Sequence, residues 1–160
     1  MPAVATIGVY GFTLDGFLDA LRGADVRLLV DVRQRRGVRG SRYAWANSQR
    51  LQRALGAAGI PYRHVRDLAP TTELRQLQYA VDDAAGVGKR SRQRLDPGYV
   101  AGYTEQILDP FDLSVLLASL PDAVTLVLLC VEAEPSACHR SLVTGRLASE
   151  HGLDVAHLRP

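Results

Sequence analysis

One segment near the end of the chain constrains the fold more than any other. Residues 124–130 read Val-Thr-Leu-Val-Leu-Leu-Cys, an apolar run with a single hydroxyl side chain. A short run that is apolar at every position, without alternation, is typical of a strand buried on both faces. Such strands occur mainly in parallel sheets that are covered by helices on both sides. The segment therefore predicts a central strand of a parallel sheet.

Four further segments have the composition of strands, and helical patterns separate them. The strands are predicted at 4–10, 26–32, 60–65 and 153–158. Apolar spacing predicts a helix after each of the first two strands, a helical insertion at about 71–120, and a helix from about 138 to 151. Strands that alternate with helices indicate right-handed crossovers. We therefore expect a single α/β domain over residues 1–160, with a three-layer, mainly parallel, Rossmann-like sheet.

Length and composition exclude several classes of protein. A chain of 160 residues has room for one domain, and 47% apolar with 22% charged residues is typical of a globular protein. No run reaches the roughly 18 apolar residues of a membrane span, and the first residues do not resemble a signal peptide. Two cysteines are too few for a disulfide framework. We expect a cytoplasmic protein with free thiols and no membrane partner.

The net charge of +2 conceals a strongly basic segment. Residues 33–66 contain nine basic and no acidic residues, whereas residues 95–160 carry a net charge of −6. The basic loop, residues 33–42, contains Arg33, Arg35, Arg36, Arg39 and Arg42, and Tyr43 follows it. Arginine binds phosphate with two donors at once, and aromatic rings stack on bases. The loop indicates a surface for phosphate, although pairing with the acidic half or a subunit contact in a homo-oligomer would explain it too.

Topology predicts that several reactive side chains converge. In open parallel sheets, ligands bind beyond the carboxyl ends of the strands. The residues that lie near or after the predicted strand ends, or begin the helix after the central strand, are Tyr10, Gly11, Asp31, Arg33, His64, Cys130, Glu132, Cys138, His139 and Arg140. We expect their side chains to share one crevice.

The segment Cys138-His139-Arg140 is the best candidate for chemistry. A helix N-terminus favours an anion and lowers the pKa of a thiol, so Cys138 is a candidate nucleophile beside His139. Partial burial is expected to raise the pKa of Glu132 toward that of a general acid or base, and Asp31 is a second candidate for this role. The alternatives are structural: a capping cysteine, and carboxylates that only pair with arginines.

Two other kinds of site are disfavoured by spacing. The ten positions from Cys130 to Arg140 are too many for a phosphatase loop, which wraps a single phosphate between Cys and Arg. The donors Cys130, Cys138, His139 and Glu132 match no common zinc spacing. We therefore expect no metal and no cofactor at this site.

Several segments resemble one bacterial family. The segments Thr6-Ile7-Gly8, Leu29–Arg33, Gly59–Tyr62 and Cys130-Val131-Glu132 followed by Cys138–Ser141 are similar to the domain of unknown function family 488. The resemblance implies a compact α/β domain with a site around the Cys-x-Glu and Cys-His-Arg motifs, and it supplies no reaction. The chain departs from the family pattern at Val9-Tyr10, where His-Ser is common, and at Ala69-Pro70, where Gly-Gly is common.

These observations lead to one functional expectation and one alternative. We expect a small enzyme that acts on a phosphate-bearing small molecule or nucleic acid, with Glu132, Cys138 and His139 as catalytic residues. The alternative is a non-catalytic nucleic-acid-binding module that uses the loop 33–42. The residues expected to bind the ligand are Tyr10, Gly11, Asp31, Arg33, Arg35, Arg36, Arg39, Arg42, Tyr43, Cys130 and Arg140.

Overall fold

The structure, a computed structural model, describes residues 3–118, 120 and 124–160. Five parallel strands form one sheet in the order β3-β2-β4-β1-β5. Their bounds are β1 Ala3–Ile7, β2 Val26–Asp31, β3 Tyr62–His64, β4 Thr125–Leu129 and β5 Val155–Leu158. The parallel α/β architecture is confirmed, and the apolar run of residues 124–130 provides the central strand.

In the part of the chain that the structure describes, six α-helices connect the strands. They are α1 Leu14–Gly23, α2 Ser48–Ala57, α3 Thr72–Ala84, α4 Pro97–Tyr103, α5 Ser114–Leu117 and α6 Arg140–His151. Helix α4 continues into one π-helical stretch, Thr104–Leu108, and the segment between β3 and β4 contains α3 to α5. Within the described residues, none of these helices is both long and apolar enough to cross a membrane.

Strand β4 shows why the sheet needs two helical layers. Leu126 and Leu128 belong to one apolar cluster, together with side chains of α3, α4 and α6. Val127 and Leu129 belong to the opposite cluster, together with side chains of α1 and α2. All four side chains are completely buried. The uniform apolar sequence is therefore explained by burial on both faces.

The position of β4 brings three strand ends together. Strands β1 and β2 both pair with β4 and not with each other, and Ile7 and Asp31 are both in register with Leu129. Parallel strands in register end at the same edge of the sheet. The segments that follow β1, β2 and β4 are consequently neighbours, as the site hypothesis requires.

Gly8 is the point where two of these segments touch. A β-carbon at Gly8 would lie 2.1 Å from the backbone oxygen of Glu132 and 2.9 Å from its carbonyl carbon. One residue later, the Val9 amide donates to the Val131 carbonyl at 2.9 Å. Only glycine allows the chain after β1 to lie this close to the chain after β4.

We expect Gly8→Ala to destabilise the fold by about 2 kcal/mol or more, because backbone atoms must move to admit the methyl group. Urea denaturation of the purified variant measures this change. Gly145→Ala is the matched control. Gly145 is exposed within α6, and a β-carbon there meets nothing within 4 Å. The control should be unchanged or more stable by up to about 1 kcal/mol, since alanine favours helix. Equal stability of the Gly8 variant and the wild type would contradict the close contact.

Candidate functional site

A cavity of about 430 Å³ lies at the carboxyl end of the sheet. Its walls come from the segments after β1, β2 and β4, from α3, and from the loop 86–96. The side chains that carry its polar chemistry are Tyr10, Arg33, Arg35, Arg39, Arg75, Gln78, Tyr79, Lys89, Arg90, Arg92, Tyr99, Cys130, Glu132, Cys138 and His139.

Eight of the predicted site residues lie on the wall of this cavity. Three of them, Glu132, Cys138 and His139, were predicted as catalytic, and all three are buried. We call these three residues and Cys130 the floor of the cavity. The remaining four are Tyr10, Arg33, Arg35 and Arg39.

Arg140 is not on the cavity wall, contrary to expectation. Its side chain is completely buried, and its guanidinium donates to the carbonyl oxygens of Glu132 at 2.6 Å and Ala133 at 3.2 Å. Arg140 therefore fastens the turn after β4 to the beginning of α6. Both terminal nitrogens of its guanidinium thus donate to backbone, and its buried Nε has no hydrogen-bond partner among the described residues.

Asp31 also lies behind the wall rather than on it. Its carboxylate accepts from the Arg33 backbone amide at 3.1 Å, from the Arg33 side chain at 2.9 and 2.8 Å, and from the Tyr62 hydroxyl. Arg33 donates in addition to the Ala46 carbonyl at 2.9 Å. Arg36 turns away as well, toward the Tyr62 hydroxyl. The Asp31 carboxylate therefore holds Arg33 and the basic loop in place and is enclosed by donors.

The two predicted aromatic contacts are already occupied by arginine. The rings of Tyr10 and Tyr43 lie 5.2 Å apart, and the Arg90 guanidinium lies over both, at 5.0 and 5.4 Å from the ring centres. Arg42 lies over Tyr43 at 5.1 Å, and the Tyr43 hydroxyl accepts from the Gly11 amide at 2.9 Å. Gly11, Arg42 and Tyr43 are therefore beside the cavity, and they support Tyr10 on its wall.

Glu132 is held by a buried arginine. Arg92 donates to Glu132 at 2.9 Å, to Asp82 at 2.7 Å and to the Ala137 carbonyl at 3.0 and 3.1 Å. The Cys130 thiol donates to the other oxygen of the Glu132 carboxylate at 3.2 Å. Arg92 thus connects the loop 86–96 to α3 and to both motifs after β4.

The prediction of a raised pKa for Glu132 is wrong. Burial alone would raise the pKa of this carboxyl group, but the positive charges of Lys89 and Arg92 and the hydrogen bonds to the carboxylate outweigh burial and lower it to about 2. Glu132 is therefore an ionised acceptor at neutral pH rather than a general acid.

His139 lies between the two cysteines. Its Nε2 is 2.8 Å from the Val32 carbonyl oxygen, which can only accept, so Nε2 carries the proton of the neutral ring. Its Nδ1 is therefore free to act as an acceptor, and it lies 3.7 Å from the Cys138 sulfur and 3.8 Å from the Cys130 sulfur. Burial raises the pKa of Cys130 well above the usual thiol range. Cys138 precedes the first residue of α6 by two positions.

Four cations of the cavity wall come from the helical insertion and were not predicted from the sequence. Arg75 comes from α3, and Lys89, Arg90 and Arg92 come from the loop 86–96. Four basic residues within positions 89–94 were the available signal, but acidic residues of α3 offset them in the segment charge. The rule about strand ends did not include this loop, because it follows a helix.

The cavity wall carries an excess of positive charge. Seven cationic side chains line it, and Glu132 is the one carboxylate among the lining residues. Arg33 and Arg92 pair with Asp31, Asp82 and Glu132. The other five have no carboxylate within 4.0 Å among the described residues: Arg35, Arg39, Arg75, Lys89 and Arg90.

Comparison with known proteins gives one match. The family model "Domain of unknown function DUF488" matches residues 13–147, which is most of the chain. The match includes both motifs after β4 and the loop 86–96. No match was found among the curated proteins or the solved structures.

We expect Asp31→Asn to lower the free energy of unfolding by about 3 to 5 kcal/mol, because it removes the charge that balances the buried Arg33. Thermal and urea denaturation measure the loss. Asp19→Asn is the control, since Asp19 pairs with Arg22 at 3.2 Å on the exposed face of α1. The control should change stability by no more than about 0.5 kcal/mol. Similar losses in the two variants would contradict the structural role of Asp31.

Proposed function

We propose that this chain, which belongs to the family Domain of unknown function DUF488, binds a phosphate-bearing small molecule in its cationic cavity and acts on it as a small enzyme. The observation that carries the proposal is the unbalanced positive charge of an enclosed cavity wall. Five cations that have no carboxylate within 4.0 Å among the described residues repel one another, and a multiply charged anion between them relieves that repulsion.

The type of donor favours phosphate among anions. Four of the five unbalanced cations are arginines, and a guanidinium offers several N–H groups in a plane that matches two oxygens of a phosphate. Arg35, Arg39 and Arg90 are exposed, and we call them the rim of the cavity. A phosphate would meet the rim first.

The volume favours a molecule of nucleotide size. About 430 Å³ is within the range of small-molecule pockets, about 300 to 1,000 Å³, and too small for a duplex. The wall also has apolar surface for an uncharged part of the ligand, from Val38, Leu95 and Tyr99. A nucleotide combines such an uncharged part with one or more phosphates.

The floor supplies the groups that would do the chemistry. Glu132 is a carboxylate, His139 places Nδ1 close to both sulfur atoms, and Cys138 presents a sulfur atom. All three line the cavity and are shielded from bulk water. A polar group is more effective in such a shielded position, since water does not compete for its hydrogen bonds.

A non-catalytic nucleic-acid-binding module is the second candidate. The exposed Arg42 favours it, because it extends the basic surface beyond the rim. Against it, the faces of Tyr10 and Tyr43 are covered by arginines, and Trp45 is buried against Phe17, with 5.0 Å between ring centres. The aromatic stacking that single-stranded ligands normally use is therefore not offered.

We expect the double variant Arg35→Ala/Arg39→Ala to bind AMP or ADP about 10-fold or more weakly, because two rim cations are lost. Calorimetric titration of the wild type and the variant, at constant salt, measures the change. The matched control is Arg50→Ala/Arg53→Ala, which removes two exposed arginines of α2 outside the cavity. Equal weakening in both double variants would contradict the cavity site. Tight binding of a single-stranded oligonucleotide without binding of nucleotides would support the second candidate instead.

We expect Glu132→Gln to reduce turnover of a bound nucleotide at least about 100-fold while its affinity changes by a few fold, because the charge that holds Arg92 and accepts from the Cys130 thiol at the floor is lost. Phosphorus NMR of the wild type mixed with mono-, di- and triphosphate nucleotides identifies the converted compound, and the same assay compares the variants. Glu134→Gln is the control, because Glu134 pairs with Arg159 outside the cavity. Turnover that survives in Glu132→Gln would remove Glu132 from the chemistry.

A further inference from the structure

We propose that Cys130, Cys138 and His139 bind a zinc ion at the floor of the cavity. The Sγ atoms of the two cysteines and a ring nitrogen of His139 lie within 4.8 Å of one another. They come from the turn after β4 and from the residues just before α6. This inference does not rest on the proposed function, since it concerns the donors themselves.

The distances fit the edges of a zinc tetrahedron. Zinc binds sulfur at about 2.3 Å and imidazole nitrogen at about 2.0 to 2.1 Å, which places these donors about 3.5 Å apart at tetrahedral angles. In the structure, His139 Nδ1 is 3.7 Å from one sulfur and 3.8 Å from the other. One nitrogen nearly equidistant from two sulfurs leaves a central point that a metal ion can occupy with small adjustments.

The orientation of His139 suits a metal ligand. Its Nε2 donates to the Val32 carbonyl at 2.8 Å, which leaves the lone pair on Nδ1 directed between the sulfurs. Metal-binding histidines commonly donate their second nitrogen to a carbonyl or carboxylate, and this bond fixes the ring. The Val32 carbonyl follows β2, so the ring is anchored to the sheet and not to a mobile segment.

The backbone between the two cysteines is held in place. The turn Pro135–Ala137 reverses the chain after β4, and Arg140 ties the carbonyls of Glu132 and Ala133 to the beginning of α6. This arrangement returns Cys138 to the side of Cys130 before any ion is present. Because the donors are already in position, little conformational entropy is lost when an ion binds.

The chemistry of the donors favours zinc. Two thiolates and one imidazole are preferred by zinc over magnesium or calcium, which bind oxygen. Binding releases the two thiol protons to solvent, and the two thiolates then balance the charge of the ion. The three residues line the cavity, so a fourth position opens toward the ligand space, as in catalytic zinc sites. The expectation that no metal binds here was based on the spacing of the donors along the sequence. That spacing does not show that His139 lies between the two cysteines in the folded chain.

The test is titration of reduced, chelator-treated wild type with Co²⁺ alone, followed by Zn²⁺. We expect one equivalent of Co²⁺ to produce the near-ultraviolet absorption of sulfur bound to cobalt, and one equivalent of Zn²⁺ to abolish it. Cys138→Ser and His139→Gln should weaken Co²⁺ binding at least about 100-fold, since loss of a direct ligand exceeds the effect of losing an outer partner. His157→Gln, on exposed β5, should bind as the wild type does.

A measurement on the wild type keeps the test valid if a variant fails to fold. Zn²⁺ should raise the melting temperature of the reduced protein and slow alkylation of both cysteines. A folded, reduced wild type that shows neither effect and no cobalt–sulfur absorption would overturn the proposal. Metal binding that persists undiminished in Cys138→Ser would overturn the metal site. A wild type that binds Zn²⁺ but no nucleotide would support the metal site while the phosphate proposal fails.

Discussion

The parallel pairing of β4 with both β1 and β2 determines where the reactive groups lie. Because Ile7 and Asp31 are both in register with Leu129, three segments leave the sheet side by side. The close approach of Gly8 to Glu132 and the hydrogen bonds of Arg140 then fix the turn after β4. The cysteines and the histidine are therefore positioned by the backbone of the core, and the site has the rigidity that catalysis and metal binding both require.

The charges around the cavity fall into two groups with different consequences. Arg33 and Arg92 are buried, and each is satisfied by carboxylates and by backbone carbonyls. They hold the basic loop and the loop 86–96 against the sheet. The other five cations of the wall have no carboxylate within 4.0 Å among the described residues. This division explains how a chain with a net charge of only +2 presents a strongly positive cavity.

Much of the fold could be predicted from the sequence, and less of the site. The run 124–130 indicated the central strand because burial on both faces leaves a direct compositional trace. Ligands bind beyond the carboxyl ends of parallel strands, and this rule correctly placed Glu132 and His139 at the cavity. The rule does not predict the direction in which a side chain points. Asp31 ends β2 and Arg140 begins α6, so both lie close to the cavity. Their side chains nevertheless turn into the protein interior, because each binds buried partners. Lys89 and Arg92 come from the helical insertion, whose packing no local pattern specifies.

The order of the strands in the chain has a consequence for biosynthesis. On the ribosome, β1 and β2 are made more than 90 residues before β4, and each has an edge that only β4 will pair. Until residue 129 has emerged, the edges of β1 and β2 that β4 will pair stay open, and open edges are prone to misassociation. Both cysteines, Glu132 and His139 follow that point. Chains that terminate before residue 130 therefore lack both cysteines, Glu132 and His139.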